Sequence, residues 1–574
     1  MDGFSIGLSA IQAGQVNLNV IGQNLANATT PGYNQETVNL VNQSTNGVGT
    51  GVDVASITRY TAPPLQTAIL QGNADEANST AQLGIQQQVQ TAITAGGTST
   101  STTSTSTGGI GDALTSFFDQ ITQLTSTPND PSVISTVVAS ASALAGQLNA
   151  ASSGLDVLSN SLSGQISQTV TQVNSLAGQI GTLNGQISGI VSQGGQANDL
   201  EDQRDQLINQ LSQQIDVHTV DQPNGVVNVI SSGGPIVLGT LSTSFQTTAG
   251  SNGTIAVTPT GSPQPQTFAS GTLAGQLEQY NQGIPAVSGQ LDTLANTLSA
   301  QLNEIQATGL GTNGPITSTQ GTVSVADPTA PLDTQNLPAP VQGGQLVVSV
   351  TNTASGLRSN STIDIDPSSQ SLQDVATALN GVTGLQASIN PITNTLEITA
   401  QPGYSFDFAG RDTNPPAGVV VANPDTAGIL AGLGVNGLFS GTGAANIAVN
   451  PTVAANPGLL ATSQTGEPGD ESNLERMAAV QSQSLIGGQT LSAAYTNLTT
   501  SVGTNVQQFG DQQTSQTGLV QNLTTQEQSV TGVDQNQEMA NLITVQNGIQ
   551  AASQYMSALN TAISSLLQII TPGA

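Results

Sequence analysis

Apolar positions at both ends of the chain recur every seven residues. Near the C-terminus Leu542, Ile549, Met556, Ile563 and Ile570 repeat at that interval, with Val545, Ala552, Leu559 and Leu566 in the offset register. Near the N-terminus Phe4, Ile11, Leu18 and Leu25 do the same, with Gly7, Gly14, Ile21 and Ala28 between them. A spacing of 3.5 residues draws a narrow stripe that has to face another helix. A lone helix of this kind is marginal in water, because nucleation is costly and packing supplies most of the stability. The two ends therefore require partners, either each other or other copies. That points to an assembling protein rather than an enzyme.

The same patterning sets out the rest of the chain. Residues 4–28 read as a helix, closed by Thr30-Pro31-Gly32-Tyr33. Residues 36–60 alternate and read as strands, and a helix follows over about 65–94. A Ser/Thr/Gly tract at 95–109 reads as a mobile loop. Helical spacing returns at 110–126, 132–192 and 198–215; in the second of these Ile166, Val173, Ile180 and Ile187 again fall every seven residues. Gly181, Gly185 and Gly189 share a face of that helix. Such spacing occurs at membrane helix contacts, but the surrounding Gln, Asn and Ser favour a soluble helix with a tight contact. Strands are predicted over 217–268, a helix over 271–307, and strands over 310–465 with one short helix at 371–380. Helix then resumes at about 472 and runs to the end, with a break at Thr531-Gly532-Val533-Asp534. The fold class is α+β multidomain. A discontinuous helical stem is built from both termini, and β-rich domains are inserted in the middle. The expected division is a terminal coiled-coil domain (1–60 with 535–574), a helical domain (61–216 with 271–308 and 470–534), and β-rich outer domains (217–270 and 309–469).

Composition narrows the possible roles. Only 7% of the 574 residues are charged, against about 25% in ordinary domains. The five basic residues are all arginine (Arg59, Arg204, Arg358, Arg411 and Arg476) and the formal net charge is −30. Nucleic-acid binding needs clustered cations to displace counterions, and there is no such cluster. Anionic membrane surfaces are disfavoured on the same ground. The absence of lysine is consistent with an acidic external medium, in which partly neutralised carboxylates repel one another less. With no cysteine there is neither a disulfide framework nor thiol chemistry. No basic, apolar leader opens the chain, and no run of eighteen apolar residues suggests a membrane span. Export, if it occurs, uses a route without a cleaved hydrophobic signal.

Candidate chemistry is sparse. The one histidine, His218, has no partners for a zinc site and reads as structural. Gly432-Leu433-Gly434 lacks the strand, lysine and helix of a phosphate loop. Asp364 and Asp366 fall on one strand face, where calcium binding competes with a simpler solvated edge. No catalytic, cofactor or metal residue emerges, and no cofactor is expected. The densest charge cluster is Glu201, Asp202, Arg204 and Asp205. Arg204 follows Glu201 by three residues, a helical pairing distance. Two readings of Arg204 remain open: a partly buried side chain fixing a helix contact, or an exposed pair.

These residues carry a resemblance. Ala26-Asn27-Ala28-Thr29-Thr30-Pro31-Gly32-Tyr33 resembles the motif that closes the first helix in axial proteins of the bacterial flagellum. Asn198-Asp199-Leu200-Glu201-Asp202-Gln203-Arg204-Asp205-Gln206-Leu207 resembles the hook-associated protein 1 family, as do Phe117-Phe118, Ser529–Asp534 and Leu433–Gly441. The resemblance implies a structural subunit at the hook–filament junction, adapting hook to filament. It further implies assembly into a ring through terminal helices that line a channel. The implied partners are further copies, the hook protein, the second junction protein, an export chaperone that protects the C-terminal helix, and the type III export apparatus. The implied location is extracellular, on the flagellum. On this reading the assembly interface is Ile11, Leu18, Leu25, Leu542, Ile549, Met556, Ile563 and Ile570. The family-motif residues are Asn27, Pro31, Gly32, Tyr33, Asp202, Arg204 and Asp205. Two alternatives stay open: the hook protein itself, and a secreted adhesin using the β-rich middle.

Overall fold

A computed structural model describes residues 2–45, 48–94, 109–411 and 420–570. The Ser/Thr/Gly tract lies almost wholly outside the described residues. In chain order the first elements are helix α1 (Asp2–Asn27), the antiparallel hairpin β1 (Glu36–Thr45) and β2 (Val48–Arg59), then α2 (Pro63–Thr94), α3 (Ile110–Thr125), α4 (Pro131–Val191) and α5 (Asn198–Gln214). Pro131 opens α4, where a missing N–H costs nothing, and Asp130 accepts from the Ser132 amide at 2.8 Å. The strands β3 (His218–Asp221), β4 (Val227–Ser231), β5 (Gly234–Leu238), β6 (Leu241–Ser242), β7 (Phe245–Ala249) and β8 (Ile255–Pro259) follow. Next come α6 (Thr272–Glu278), α7 (Ile284–Ala307), strands β9 (Ser318–Gln320), β10 (Gly344–Asn352) and β11 (Arg358–Ile365), and α8 (Leu372–Asn380). The last group is β12 (Leu385–Ile389), β13 (Leu396–Ala400), β14 (Tyr404–Asp407), α9 (Ile429–Leu433), β15 (Phe439–Ser440), β16 (Ala448–Val449), α10 (Pro451–Ala455), α11 (Ser472–Ala479), α12 (Leu491–Thr531) and α13 (Gln535–Ile570).

The chain divides into two compact units. The first comprises residues 1–85, 162–281 and 507–574. Here α1 packs against α13 and against the β1–β2 hairpin. The heptad of α4 forms core: Ile166, Val173, Ile180 and Ile187 are all buried. Asn184 on the same helix donates to the carbonyls of Val227 and Gly239 at 2.7 Å, tying it to the sheet ordered β3-β4-β5-β6. A Cβ at Gly181 would sit 2.8 Å from the Thr240 carbonyl oxygen. The small residue is therefore needed for a close approach between helix and sheet within the protein. By length and hydropathy α4 could cross a membrane. Most of its large apolar side chains, among them Ile134, Leu148 and Ile187, are buried in protein instead, although Val157 is exposed.

The second unit comprises 86–161 and 282–506. Phe117 and Phe118 are fully buried in α3, and Phe117 meets Phe439 edge-on with ring centres 6.1 Å apart. Asn303 of α7 donates to the Phe439 carbonyl at 2.9 Å and accepts from its amide at 2.7 Å. Two sheets, ordered β11-β10-β14 and β12-β13-β9, enclose a core of Leu346, Val348, Val350, Ile398 and Phe406 with α8. A capping box opens α8: the Ser371 hydroxyl accepts from the Asp374 amide, and the Asp374 carboxylate accepts from the Ser371 amide.

Three sequence expectations are corrected. The helix expected over 271–307 is interrupted by a π turn at Gln279–Gly283, just before Pro285, which has no N–H to donate. The helix expected from 472 onward stops after Ala479 and resumes at Leu491. Between them Gly487 and Gly488 both adopt positive φ, and Ile486 pairs with Gln489 in a tight turn. Of the two open readings of Arg204, the exposed pair with Glu201 is overturned: Arg204 is buried and Glu201 turns to Arg59 at 3.0 Å.

Candidate functional site

The two terminal helices run antiparallel in the first unit, and small residues of α1 receive large ones of α13. A Cβ at Gly7 would lie 2.5 Å from Met556 Sδ, and one at Gly14 would lie 2.6 Å from Ile549 Cγ1. A Cβ at Gly3 would lie 2.9 Å from Leu559 Cδ1. Each step of seven along α1 is thus matched by a step of seven back along α13. Gly7, Ala13, Val20 and Ile21 are buried on this side. Ile11, Leu18, Leu542, Ile549 and Met556 are half-buried, whereas Leu25 and Ile563 are exposed. The Ile570 side chain lies outside the described residues.

At the base of the pair the polypeptide turns through the Pro31-Gly32-Tyr33 motif. Gly32 has φ +77°, and a Cβ there would lie 2.7 Å from Gln206 Nε2, which donates to the Pro31 carbonyl at 2.8 Å. Only glycine meets both demands. Asn27 is peripheral: it donates to the Gln23 carbonyl and accepts from the Thr30 hydroxyl. The central residue is Asn24, with 1% of its surface exposed. Its Nδ2 donates to the Glu36 carbonyl at 2.8 Å and to Glu538 Oε1 at 3.4 Å. Its Oδ1 accepts from the Tyr33 hydroxyl and from the Glu36 amide, both at 2.9 Å. All four bonding positions of the amide are filled. Glu538, 2% exposed, also accepts from Gln35 Nε2.

A second polar cluster holds the hairpin to α5. The Arg59 guanidinium, 8% exposed, meets Glu201 and Asp205 at 3.0 Å and also contacts Asp202. Asp202 accepts from the Asn34 amide at 3.2 Å and from Asn34 Nδ2 at 2.7 Å, joining the motif to the cluster. Arg204, 4% exposed, donates to the Gly225 carbonyl at 2.6 Å and to Asn184 Oδ1 at 3.4 Å. Burial holds its pKa below the usual arginine value despite Asp205 and Glu201 nearby. Burial also raises Asp205, against the pull of Arg59 and Arg204, and raises Glu36. The Tyr33 hydroxyl is raised by burial and by the neighbouring Glu36 and Asp202 carboxylates, which leaves it a neutral donor to Asn24.

The sequence reading reached Tyr33, Asp202, Arg204 and Asp205 but passed over Asn24, Arg59 and Glu538 as functional residues. A signal was available for two of them. Asn24 interrupts the apolar stripe three and four residues after the buried Ile21 and Val20, and Glu538 is the single charge of α13, seven residues before Val545 on its stripe. The remaining candidates form no site. His218 is exposed on an edge strand, Asp364 accepts from Gln345, and Asp366 accepts from Ser368 and Ser369. Among the described residues no group of three or more His, Cys, Asp or Glu side chains is placed to hold a metal ion.

This architecture has known relatives. The family described as the flagellar hook-associated protein FlgK helical domain matches residues 98–321, and the flagella basal body rod protein family matches residues 4–34. Flagellar hook-associated protein 1 of Salmonella typhimurium is 24% identical over 588 residues, spanning 98% of each chain. The protein of the same description from Escherichia coli is 23% identical over 594 residues, again with 98% of each chain covered. Among solved structures, the flagellar hook junction protein FlgK from Burkholderia pseudomallei superposes with a TM-score of 0.50 at 17% identity, covering 81% of this chain and 100% of that one. The helical ends, the motif between them and these relatives together define a structural protein of the bacterial flagellum. Within that class, the chain is similar to the hook-associated protein 1 family along nearly its whole length.

Proposed function

We propose that this protein is the structural subunit of the hook–filament junction and that it assembles with further copies through its paired terminal helices, taking residues 1–60 with 535–574 as the assembling domain. The observation that carries this reading is the surface of that pair. Ile6, Leu8, Met539, Ile543, Leu566 and Leu567 are between 36% and 59% exposed. No charged residue occurs from Gly3 to Gln35 or from Met539 to Ile570, in a chain of net charge −30. Large apolar side chains exposed along both helices of the pair mark an interaction site. Neutrality there lets copies approach without the repulsion that the rest of the chain would impose. Hook protein and the second junction protein are the expected neighbours on either side of a ring. Export unfolded through the flagellar type III route, with a chaperone on the C-terminal helix, accounts for how such a surface reaches the cell exterior unaggregated. No catalytic role is proposed.

Deletion of the gene, followed by negative-stain electron microscopy and assay of flagellin in the medium, tests this. The expected result is bare hooks with flagellin released. Cells without hooks would move the protein to the hook or rod, and normal filaments would refute the junction role. Ile549→Asp should block assembly while leaving the second unit folded; assembly that survives it would refute the helix-pair interface.

A further inference from the structure

The stripe of α13 is nearly periodic, so apolar packing alone does not choose an alignment for it. Sliding α13 by one heptad would bring Ile549 opposite Gly7 and Leu542 opposite Gly14. That again sets a large aliphatic side chain against a glycine. The polar residues at the base do discriminate. The same slide carries Glu538 to the level of Leu18, away from Asn24 and Gln35. A carboxylate with 2% of its surface exposed would then have lost both donors, and leaving such a group buried and unpaired is strongly unfavourable. Single buried polar residues fix alignment in coiled coils by this asymmetry.

We propose that the Asn24–Glu538 contact is the register lock of the terminal helix pair, selecting one alignment among heptad-shifted ones of similar apolar packing. Asn24 suits the role because it is itself immobilised. It is bonded to both backbone groups of Glu36 and to Tyr33, so the motif loop and the first residue of β1 set its position. Gln35 adds a second donor to Glu538, and its own amide donates to the Thr531 carbonyl at 2.8 Å. The lock therefore joins the end of α1, the start of β1 and the break before α13. Both residues are positioning residues: they select an alignment rather than supply the contact area of assembly.

The absence of cysteine from the native chain makes a direct test possible. Gly7→Cys is combined with Met556→Cys to report the observed alignment, and with Ile549→Cys and Met556→Ala, the latter making room for the new Cβ, to report the one-heptad slide. The dilute full-length chain is oxidised and intrachain crosslinking is read on a non-reducing gel. In the native background the in-register pair should close more than about tenfold better, as the cost of an unpaired buried carboxylate requires. With Asn24→Leu and Glu538→Leu together the two yields should become comparable while helicity by circular dichroism is kept. Glu538→Gln, which still presents an accepting oxygen, should preserve the native preference. If the double variant loses helicity, Glu538→Leu alone is read in the same way. An unchanged preference in the leucine variants would overturn the lock, and so would failure of both pairs to close in the native background. The inference builds on the terminal helices being the assembling element. The crosslink reads a single chain, however, so its failure is distinct from failure of the junction assignment, which the deletion reads.

Discussion

Arg59 carries the most exposed wager on the structure. One guanidinium, 8% exposed, faces Glu201, Asp202 and Asp205, and Asp202 in turn holds both the backbone and side chain of Asn34. Arg59→Met keeps much of the aliphatic stem and removes the charge. Three carboxylates are then left with Arg204 alone, whose Nε is 3.7 Å from Asp205. Breaking a buried ion pair in this way costs about 3–5 kcal/mol, because the orphaned charges stay buried. A surface pair would cost under about 1 kcal/mol. Denaturant unfolding of the full chain at pH 7, followed by circular dichroism with limited proteolysis to identify the unit that opens first, should show the first unit destabilised by the larger figure. The loss should also depend on pH in a stated direction. In the variant Asp205, already raised by burial, loses the Arg59 charge that pulls it down, so its folded-state pKa rises further above the unfolded one. The protonated form then favours the folded state, and the deficit shrinks as the pH falls from 7 toward 5. A deficit below about 1 kcal/mol at pH 7, or one that does not change between pH 7 and pH 5, would refute the clasp.

Gly14→Val should disrupt the helix pair, since even a Cβ lies 2.6 Å from Ile549 Cγ1. A loss of about 1–3 kcal/mol in the first unit is expected, with partial recovery when Ile549→Ala is added. Arg204→Ala should cost more than about 1 kcal/mol, because it takes the donor from the half-buried Gly225 carbonyl and one of two donors from Asn184 Oδ1, which keeps the Val227 amide; a change within about 0.5 kcal/mol would indicate an ordinary surface pair. Asp425, 1% exposed, is pushed by burial from 3.8 up to about 6, with Glu304 adding to the rise. Its folded value lies above its unfolded one, so the stability it contributes is fully present below pH 3.8 and is lost as the pH rises through 6. Across that window the second unit should be more stable at the acidic end by up to about 3 kcal/mol. Asp425→Asn, which keeps one accepting oxygen for the Leu430 amide at the cost of the bond from Ile429, should flatten the profile. This direction matches the acidic medium suggested by the lysine-free composition.

Much of the architecture was legible in the residues because it rests on local rules. A seven-residue recurrence dictates a helix with one sticky stripe whatever surrounds it. Pro31-Gly32 ends a helix because proline lacks a donor and glycine accepts φ +77°. Strands alternate where one face is to be buried. The errors came where a local cue was present but outweighed by its neighbours. Pro285 only accompanies a π turn in a helix that continues to Ala307, whereas at Gly487-Gly488 two positive φ angles stop the helix. The Glu201–Arg204 spacing was right for a helix pair, but spacing says nothing of a stronger competitor arriving from elsewhere in the chain.

The sequence by itself therefore determined that the ends are helices with stripes requiring partners, that the surface between them is acidic and lysine-free, and that a Pro-Gly-Tyr turn closes the first helix. Only the tertiary structure decided which partner each buried polar group takes. Arg59 finds Asp202 across 143 positions and Asn24 finds Glu538 across 514. Pairing over such separations is set by how the elements pack, and no periodicity encodes it. The physical reason is the range of the forces. Backbone geometry and apolar patterning act over a few residues, whereas a buried charge or amide is satisfied only by whatever group the finished fold places within hydrogen-bonding distance.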